Sequence, residues 1–210
     1  MIVAVDGPAA SGKGTLARRL ARHYGLGYLD TGAIYRSIAL VVLGAGGDPH
    51  DGGDALAAAR RFRTSMFEDS ELRTEPVSRA SSIVAAHPAV RAEVIGIQRQ
   101  FAHTPPGAVL DGRDIGTVVC PEAEIKFYVT ASPEERARRR TREFEARAET
   151  ADFAAILREI RERDERDRSR PVAPMRPAPG AHLLDTTSLD IEAAFQAARR
   201  IIDGRQPGQT

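Results

Sequence analysis

Lysine is nearly missing from this chain. Of its 30 basic residues, only Lys13 and Lys126 are lysines, and the others are arginines. Tryptophan is absent, aromatic residues make up 5% of the chain, and Cys120 is the only cysteine. One cysteine excludes an intrachain disulfide and a cysteine-based metal cage, and it suits a reducing cytoplasm. No apolar run approaches the ~20 residues that span a bilayer, so no membrane partner is expected. Neither sign of charge is in excess: the formal net charge is +1. Such a chain has no overall field to draw in nucleic acid. Balanced acids and the lack of tryptophan also leave an RNA-binding module without a stacking platform. The first core strand is expected from Ile2, so neither a signal nor a transit peptide is expected. The length, 210 residues, suits a single domain with a sizeable core.

What is present begins at once. Ile2-Val3-Ala4-Val5-Asp6 is a short apolar, β-branched run, and it leads into Gly7-Pro8-Ala9-Ala10-Ser11-Gly12-Lys13-Gly14-Thr15. Thr15 to Tyr24 then reads as an amphipathic helix. Strand, glycine-rich loop and helix follow in the order a nucleoside triphosphate site needs. The glycines let the backbone curl so that several N–H groups face one anion, and the helix N-terminus adds partial positive charge. Lys13 would reach the outer phosphates as a mobile point charge. In a chain so strongly biased to arginine, a lysine here looks selected, because the wider guanidinium fork would not thread the loop in the same way.

Strand and helix patterns then alternate. Tyr28 to Asp30 reads as a strand and Thr31 to about Leu43 as a helix. Residues 44–53 read as a loop, and Asp54 as the cap of a helix through Arg63. Thr64 to Val77 is charged and reads as irregular. Pro88 opens a helix to about His103. Ala108 to Leu110 is a buried strand that runs out at Asp111-Gly112-Arg113-Asp114. Ile125 to Thr130 is a strand, and Ser132-Pro133-Glu134-Glu135 a helix start. Four prolines keep Pro171 to Gly180 out of a helix. His182 to Asp185 and Ile191 to Ile202 are the last strand and helix. The expected fold is α/β, a central parallel sheet flanked by helices. Ligands in such sheets sit at the carboxyl ends of the strands. Asp6-Gly7, Asp30-Thr31 and Asp111 to Asp114 all fall there.

Two further clusters carry charge. Arg36 lies early in the helix that starts at Thr31; by itself it reads as a solvated helix arginine. Arg161 to Arg170 alternates arginine with acid, and helical spacing sets Arg163, Arg166, Asp167 and Arg170 on one face. Such a run is commonly a self-paired, solvated helix. An arginine comb ending at a proline-rich hinge also suits a lid over phosphates. Transfer between two phosphorylated substrates is mostly clamping and neutralising their oxygens with Arg, Lys and Mg²⁺.

Together these segments resemble the bacterial cytidylate kinases of the nucleoside monophosphate kinase family. The resemblance rests on the phosphate loop, on Asp30-Thr31-Gly32-Ala33-Ile34-Tyr35-Arg36, on Asp111-Gly112-Arg113-Asp114-Ile115-Gly116-Thr117-Val118-Val119, on Glu162 to Arg170, and on Val172-Ala173-Pro174. It covers nearly the whole chain. It implies a P-loop kinase fold in one domain: a core of 1–43 and 80–210, a small acceptor-binding insert at 44–79, and a mobile lid near 145–172. The implied reaction is transfer from ATP, with Mg²⁺, to CMP or dCMP by a monomer. Gly7 to Thr15 would hold ATP. Lys13, Arg113, Arg163 and Arg170 would serve the transfer itself. Arg36, Arg113 and Arg170 would hold the acceptor phosphate, with Thr31 near Arg36. Ser82, Arg91 and Asp114 would read cytosine, and Arg163 with Asp167 the sugar hydroxyls. A carboxylate can take the amino donor of cytosine while an arginine serves its acceptors. Uracil would turn a carbonyl toward Asp114, and a site built to bond a group rejects the analogue lacking it.

Gly14 departs from the Ser or Thr that follows the lysine in many phosphate loops and binds Mg²⁺ there. Thr15 comes one place later, and no metal ligand is assigned. The alternatives are a small kinase for AMP, shikimate or a coenzyme precursor, and a nucleotide-binding switch without catalysis. The first has no evident need of a carboxylate–arginine reader. The second would need a guanine-reading motif such as Asn-Lys-x-Asp, which this chain lacks.

Overall fold

The structure is a computed structural model that describes residues 1–62, 67, 69–148 and 150–204. Its strands are β1 (Ile2–Asp6), β2 (Gly27–Asp30), β3 (Ala108–Gly112), β4 (Ile125–Thr130) and β5 (His182–Asp185). They form one parallel sheet in the order β2-β3-β1-β4-β5. β1 is central and buried along its whole length, which is why it reads as an unbroken apolar run rather than an alternating one. Register decides what meets at the carboxyl edge: Asp30 lies beside Asp111, and Asp6 beside Gly112.

Helices cover both faces. On one side α1 (Lys13–Tyr24) and α9 (Ile191–Asp203) set Leu16, Leu20, Phe195 and Ala198 against Val5, Phe127 and Val129. On the other, Ala102 of α6 (Pro88–His103) packs with Ala4, Leu110, Ile115 and Val119. α6 also joins α2 (Thr31–Gly44), α3 (Gly52–Arg61) and α5 (Glu75–Val84) in a second core, through Ile38, Val42, Ala58, Val84 and Val90. A single turn, α4 (Asp69–Leu72), precedes α5.

The remaining two helices, α7 (Pro133–Glu145) and α8 (Phe153–Ser169), share a small buried apolar cluster of Ala137, Ile156 and Ile160. Charge does much of the joining. Arg136 is 1% exposed and grips Asp164 of α8 with two bonds of 3.0 and 2.6 Å. It also donates to the Ala131 carbonyl at 2.9 Å and the Ala9 carbonyl at 3.4 Å. One side chain thus ties α8 to α7 and to the loop after β1.

Several expectations need correction. Asp51, not Asp54, caps α3: its carboxylate accepts the Asp54 N–H at 2.9 Å. The Asp54 side chain turns back to the Asp48 N–H at 3.0 Å. The helix ends at Arg61; the expected end, Arg63, lies outside the described residues. Within the stretch read as irregular, α4 and the start of α5 are helical, while residues 64–66 and 68 lie outside the described residues. α5 shows Val77, Ala80, Ser81 and Val84 on its buried side, a helical period diluted by two serines. It also crosses the expected insert boundary at 79/80. β3 runs on to Gly112, and α8 ends at Ser169, so Arg170 stands just past the helix in extended backbone.

Removing one member of a buried pair strands the other charge. Arg136→Met is therefore expected to cost about 3–5 kcal/mol of unfolding free energy, read from urea titration. A cost under about 1 kcal/mol, the size of an exposed pair, would mean that Asp164 needs no buried partner.

Candidate active site

The loop from Gly7 to Gly12 joins β1 to α1 and curls at the carboxyl edge of the sheet. Gly7 has φ +150°, and a Cβ there would lie 2.0 Å from the Val129 carbonyl oxygen. The loop is braced from outside. The Thr186 hydroxyl, 4% exposed beyond β5, donates to the Ser11 carbonyl at 2.9 Å. Arg139 of α7 holds Thr186 in turn, through the carbonyl at 2.5 Å and the hydroxyl at 3.0 Å.

Gly14 is explained by space. A Cβ at this position would stand 2.8 Å from the Asp111 Oδ2 atom. The carboxylate from β3 occupies the place where a Ser or Thr side chain would start. Lys13 Nζ lies 3.5 Å from Asp111 Oδ1. Burial and the neighbouring Arg113 push the Lys13 ammonium down to about 8, against the pull of Asp111 and Asp30. Burial raises the Asp111 carboxyl.

Beside them Asp30 does two jobs. It caps α2 by accepting the Ala33 N–H at 3.1 Å and binds Arg36 at 2.8 Å. Burial raises its carboxyl, but Arg36 and Lys13 outweigh burial and hold it below the usual range. Thr31 spends its hydroxyl proton on the Asp111 carbonyl, at 2.7 Å.

Two more ion-paired groups close the site. Arg113 donates to Asp167 Oδ2 at 3.0 Å, and Ser82 to Asp167 Oδ1 at 3.1 Å. Arg163 donates to Ser78 at 2.7 Å and lies 3.8 Å from Asp167 Oδ2. Burial pushes Arg163 down to about 10. Asp167 is buried too, yet Arg113, Arg163 and Arg170 hold its carboxyl low. In the last group Asp114 is paired directly with Arg91 and, at 3.4 Å, with Arg170. Burial lifts the Asp114 carboxyl against both arginines. Arg170 also donates to the Ala173 carbonyl at 2.6 Å. The Arg113 pair is no local turn contact: Arg113 and Asp167 are 54 residues apart in sequence.

All three groups line one cavity of about 270 Å³. Every residue expected to hold the acceptor is there: Thr31, Arg36, Ser82, Arg91, Arg113, Asp114, Arg163, Asp167 and Arg170. Ala9, Ala10, Gly12, Lys13, Gly14 and Thr15 line it as well, whereas Gly7, Pro8 and Ser11 are buried in the body of the loop. Basic side chains outnumber acidic ones, eleven to eight. The Nε atoms of Arg36, Arg163 and Arg166 are buried without a hydrogen-bond partner. Buried donors normally find partners, so these three fit a cavity made for anionic oxygens. Sequence reasoning set Arg166 on the same face as Arg163 and Arg170 without giving it a role, and missed Arg140 in the wall and Asp111 as the counter-charge of Lys13. The placement of Asp111 at the end of a buried strand was the available signal. Arg139 and Thr186, which act from behind the loop, left none.

The sequence model of the family described as cytidylate kinase matches residues 3–203. The chain belongs to the cytidylate kinase family. It is 54% identical over 210 residues to a protein of Bradyrhizobium diazoefficiens named cytidylate kinase, covering 100% of this chain and 99% of that one. A cytidylate kinase of Methylocella silvestris is 55% identical over 203 residues, 97% of this chain and 94% of its own. Among solved structures, an uncharacterized protein from Eubacterium ventriosum superposes with a TM-score of 0.58 at 14% identity, covering 98% of this chain and 99% of that one. It shares the fold.

For a cytidylate kinase the metal question is then specific. No group of three or more His, Cys, Asp or Glu side chains that could cage a metal occurs among the described residues. The donor set that fits Mg²⁺ is Asp111, crowding Gly14, with Thr15 at the cavity wall. A cation that keeps several waters and leans on substrate phosphates needs no more.

Gly14→Ser, which would restore the common loop sequence, is expected to lower kcat/KM rather than raise it. Its Cβ meets the Asp111 carboxylate, which must move from its place beside Lys13, and overpacking of this kind also costs about 1–3 kcal/mol of folding stability. Parental kcat/KM in steady-state assays would show that Asp111 yields without loss.

Proposed function

We infer that this chain phosphorylates CMP and dCMP from ATP, giving ADP and the nucleoside diphosphate. The observation that carries the reading is the Arg91–Asp114–Arg170 group at one end of a basic cavity whose other end is the phosphate loop with Lys13. Membership of the family supports it across the full chain. A neutral sugar acceptor has no use for a buried carboxylate gripped by two arginines. Cytosine does: its amino group donates to Asp114, and its ring nitrogen and carbonyl accept from Arg91.

The acceptor phosphate already carries the anionic oxygen that attacks, so no general base is required. That oxygen bonds to the γ-phosphorus as the bond to the β–γ bridging oxygen breaks, and ADP leaves with the electron pair. The protein's work is positioning and charge. Lys13 and the loop amides hold the β and γ oxygens. Arg36 and Arg113 take the acceptor phosphate, and Arg163 the transferring group. Arg170 is paired with Asp114, which favours a share in holding the base end over the acceptor phosphate alone. Asp167, now paired with Ser82 and with Arg113, meets the sugar together with Arg163, and Ser82 reads the base with Asp114 and Arg91. Mg²⁺, when bound, offsets phosphate charge, with Asp111 and Thr15 as the residues that would hold it or its waters. α8, with 145–172, is the closing lid and the segment 44–79 the acceptor insert. The same reading carries a monomer of the cytoplasm whose partners are nucleotides.

An ADP-release assay with CMP, dCMP, UMP and AMP side by side tests the whole reading. CMP and dCMP should lead by a wide margin, and equal turnover of AMP or UMP would overturn it. In the same assay Lys13→Ala is expected to lose nearly all turnover while keeping its fold by circular dichroism.

Two variants test the acceptor end. Asp114→Asn should weaken CMP use and narrow the gap to UMP, because an amide can donate to the uracil carbonyl. A fixed ratio of specificity constants would remove Asp114 from the base. Asp167→Ala should hurt CMP more than dCMP, since the ribose alone offers a 2′-hydroxyl. A lost hydrogen bond to a charged group is worth roughly 1.5–3 kcal/mol, or about 10- to 150-fold. Equal losses on both acceptors would take Asp167 off the sugar.

A further inference from the structure

Directly after Asp114 the chain makes one π-helical turn, Ile115–Val119, closed by bonds from Val119 N–H to the Asp114 carbonyl (3.2 Å) and from Cys120 N–H to the Ile115 carbonyl (2.7 Å). Such a turn is rarely stable unaided and is often found at functional sites. Here both of its ends are held. At the amino end the two oxygens of Asp6 accept the N–H groups of Ile115 and Gly116, each at 2.8 Å. At the carboxyl end Arg99 of α6 donates Nε to the Val119 carbonyl and a terminal nitrogen to the Val118 carbonyl, each at 2.9 Å. An anion at the amino end and a cation at the carboxyl end is the arrangement that the turn's peptide dipoles favour.

The two holders are tied to the rest of the site. Asp6, 2% exposed, is the residue before Gly7, so the strand end that launches the phosphate loop also grips the turn. Arg99 lies two helical turns beyond Arg91 on α6, and Arg91 grips the Asp114 carboxylate itself. Asp114 is therefore held at its side chain by Arg91 and Arg170, and at its following backbone by Asp6 and Arg99. The side-chain grip must be shared with the base when the acceptor enters. The backbone grip need not change.

We propose that Asp6 and Arg99 are positioning residues for acceptor choice: they clamp the turn Ile115–Val119 from both ends and so fix Asp114 against the cytosine edge. This rests on the reading that Asp114 faces the acceptor base. Neither residue lines the cavity, and neither touches substrate. The clamp acts on acceptor recognition and leaves the donor end alone on the Arg99 side. Asp6 joins donor loop and acceptor turn through one carboxylate.

The test uses the full chain with Arg99→Met, Arg99→Lys and Asp6→Asn, measured with CMP and UMP at saturating ATP. Arg99→Met keeps the aliphatic stem and loses both donors. It should raise KM for CMP about three- to tenfold, the low range for hydrogen bonds from a charged but exposed group. It should narrow the CMP-to-UMP ratio and leave kcat and KM for ATP as in the parent. Arg99→Lys, which can serve one carbonyl, should recover part of the loss. Asp6→Asn should narrow the same ratio further, because its partners are buried. Arg99 is exposed, so its variants decide the matter even where Asp6→Asn does not fold. A parental CMP-to-UMP ratio in Arg99→Met, or KM values for CMP and ATP that rise together, overturns the clamp and leaves a merely structural contact. Asp114→Asn in the same series separates the two readings. If it shifts the ratio and the Arg99 variants do not, the clamp fails. If it leaves the ratio unchanged, the base-reading assignment fails instead.

Discussion

Arginines and carboxylates are buried together along one edge of the sheet, and each is tolerable there because the other is present. Taking a single charge out of water costs several kcal/mol, which only a close counter-charge with good geometry offsets. The parallel register supplies two of the carboxylates, by setting Asp30 at the end of β2 beside Asp111 of β3. The helices supply the cations: Lys13 from α1, Arg36 from α2, Arg91 from α6, and Arg163 with Arg170 from the end of α8. Pairing orients these groups and offsets part of the cost of their burial. On the proposed reading, an entering phosphate exchanges one anion for another, and the arginines need not be assembled or dehydrated afresh.

That exchange also explains why α8 docks as it does. Its shared apolar cluster is small, and much of its attachment is made of ion pairs that, on that reading, a ligand's own charges can replace. The pair that does not face the cavity, Arg136 with Asp164, is the one that stays. Arg136 also touches the Ala9 carbonyl of the phosphate loop, so the fixed point of the helix is registered to the loop that binds the donor. The Asp167 end, by contrast, is linked to the acceptor side through Arg113 and Ser82.

Much of this was legible in the residues. The strand–loop–helix at Ile2 to Tyr24 and the parallel sheet follow from local chemistry, and the residues expected at the acceptor, which line one cavity, from the resemblance. Local pattern failed where a partner is distant or the period is weak. Asp51 and Asp54 are both plausible caps, and only the fold shows that the first takes the helix while the second turns back to Asp48. α5 hides its buried side behind two serines and two charged neighbours. The Arg136–Asp164 pair lies inside charged runs that read as solvated, because nothing in a one-dimensional pattern tells a buried arginine from an exposed one. Gly14 looked like a departure from a common motif. Its cause is a carboxylate from β3, nearly a hundred positions along the chain.

The scarcity of lysine has a consequence for the cavity wall. A guanidinium does not lose its proton anywhere in the range where proteins work, so the positive charge on these helices is a constant rather than a variable. Lysines desolvated to the same depth would have drifted toward neutrality near pH 7, as Lys13 already does in coming down to about 8. A wall of lysines would fade as the solution turned alkaline. A wall of arginines keeps its positive charge through the neutral range, and among the described residues of the cavity Lys13, at about 8, is the cation that responds first to a rise in pH.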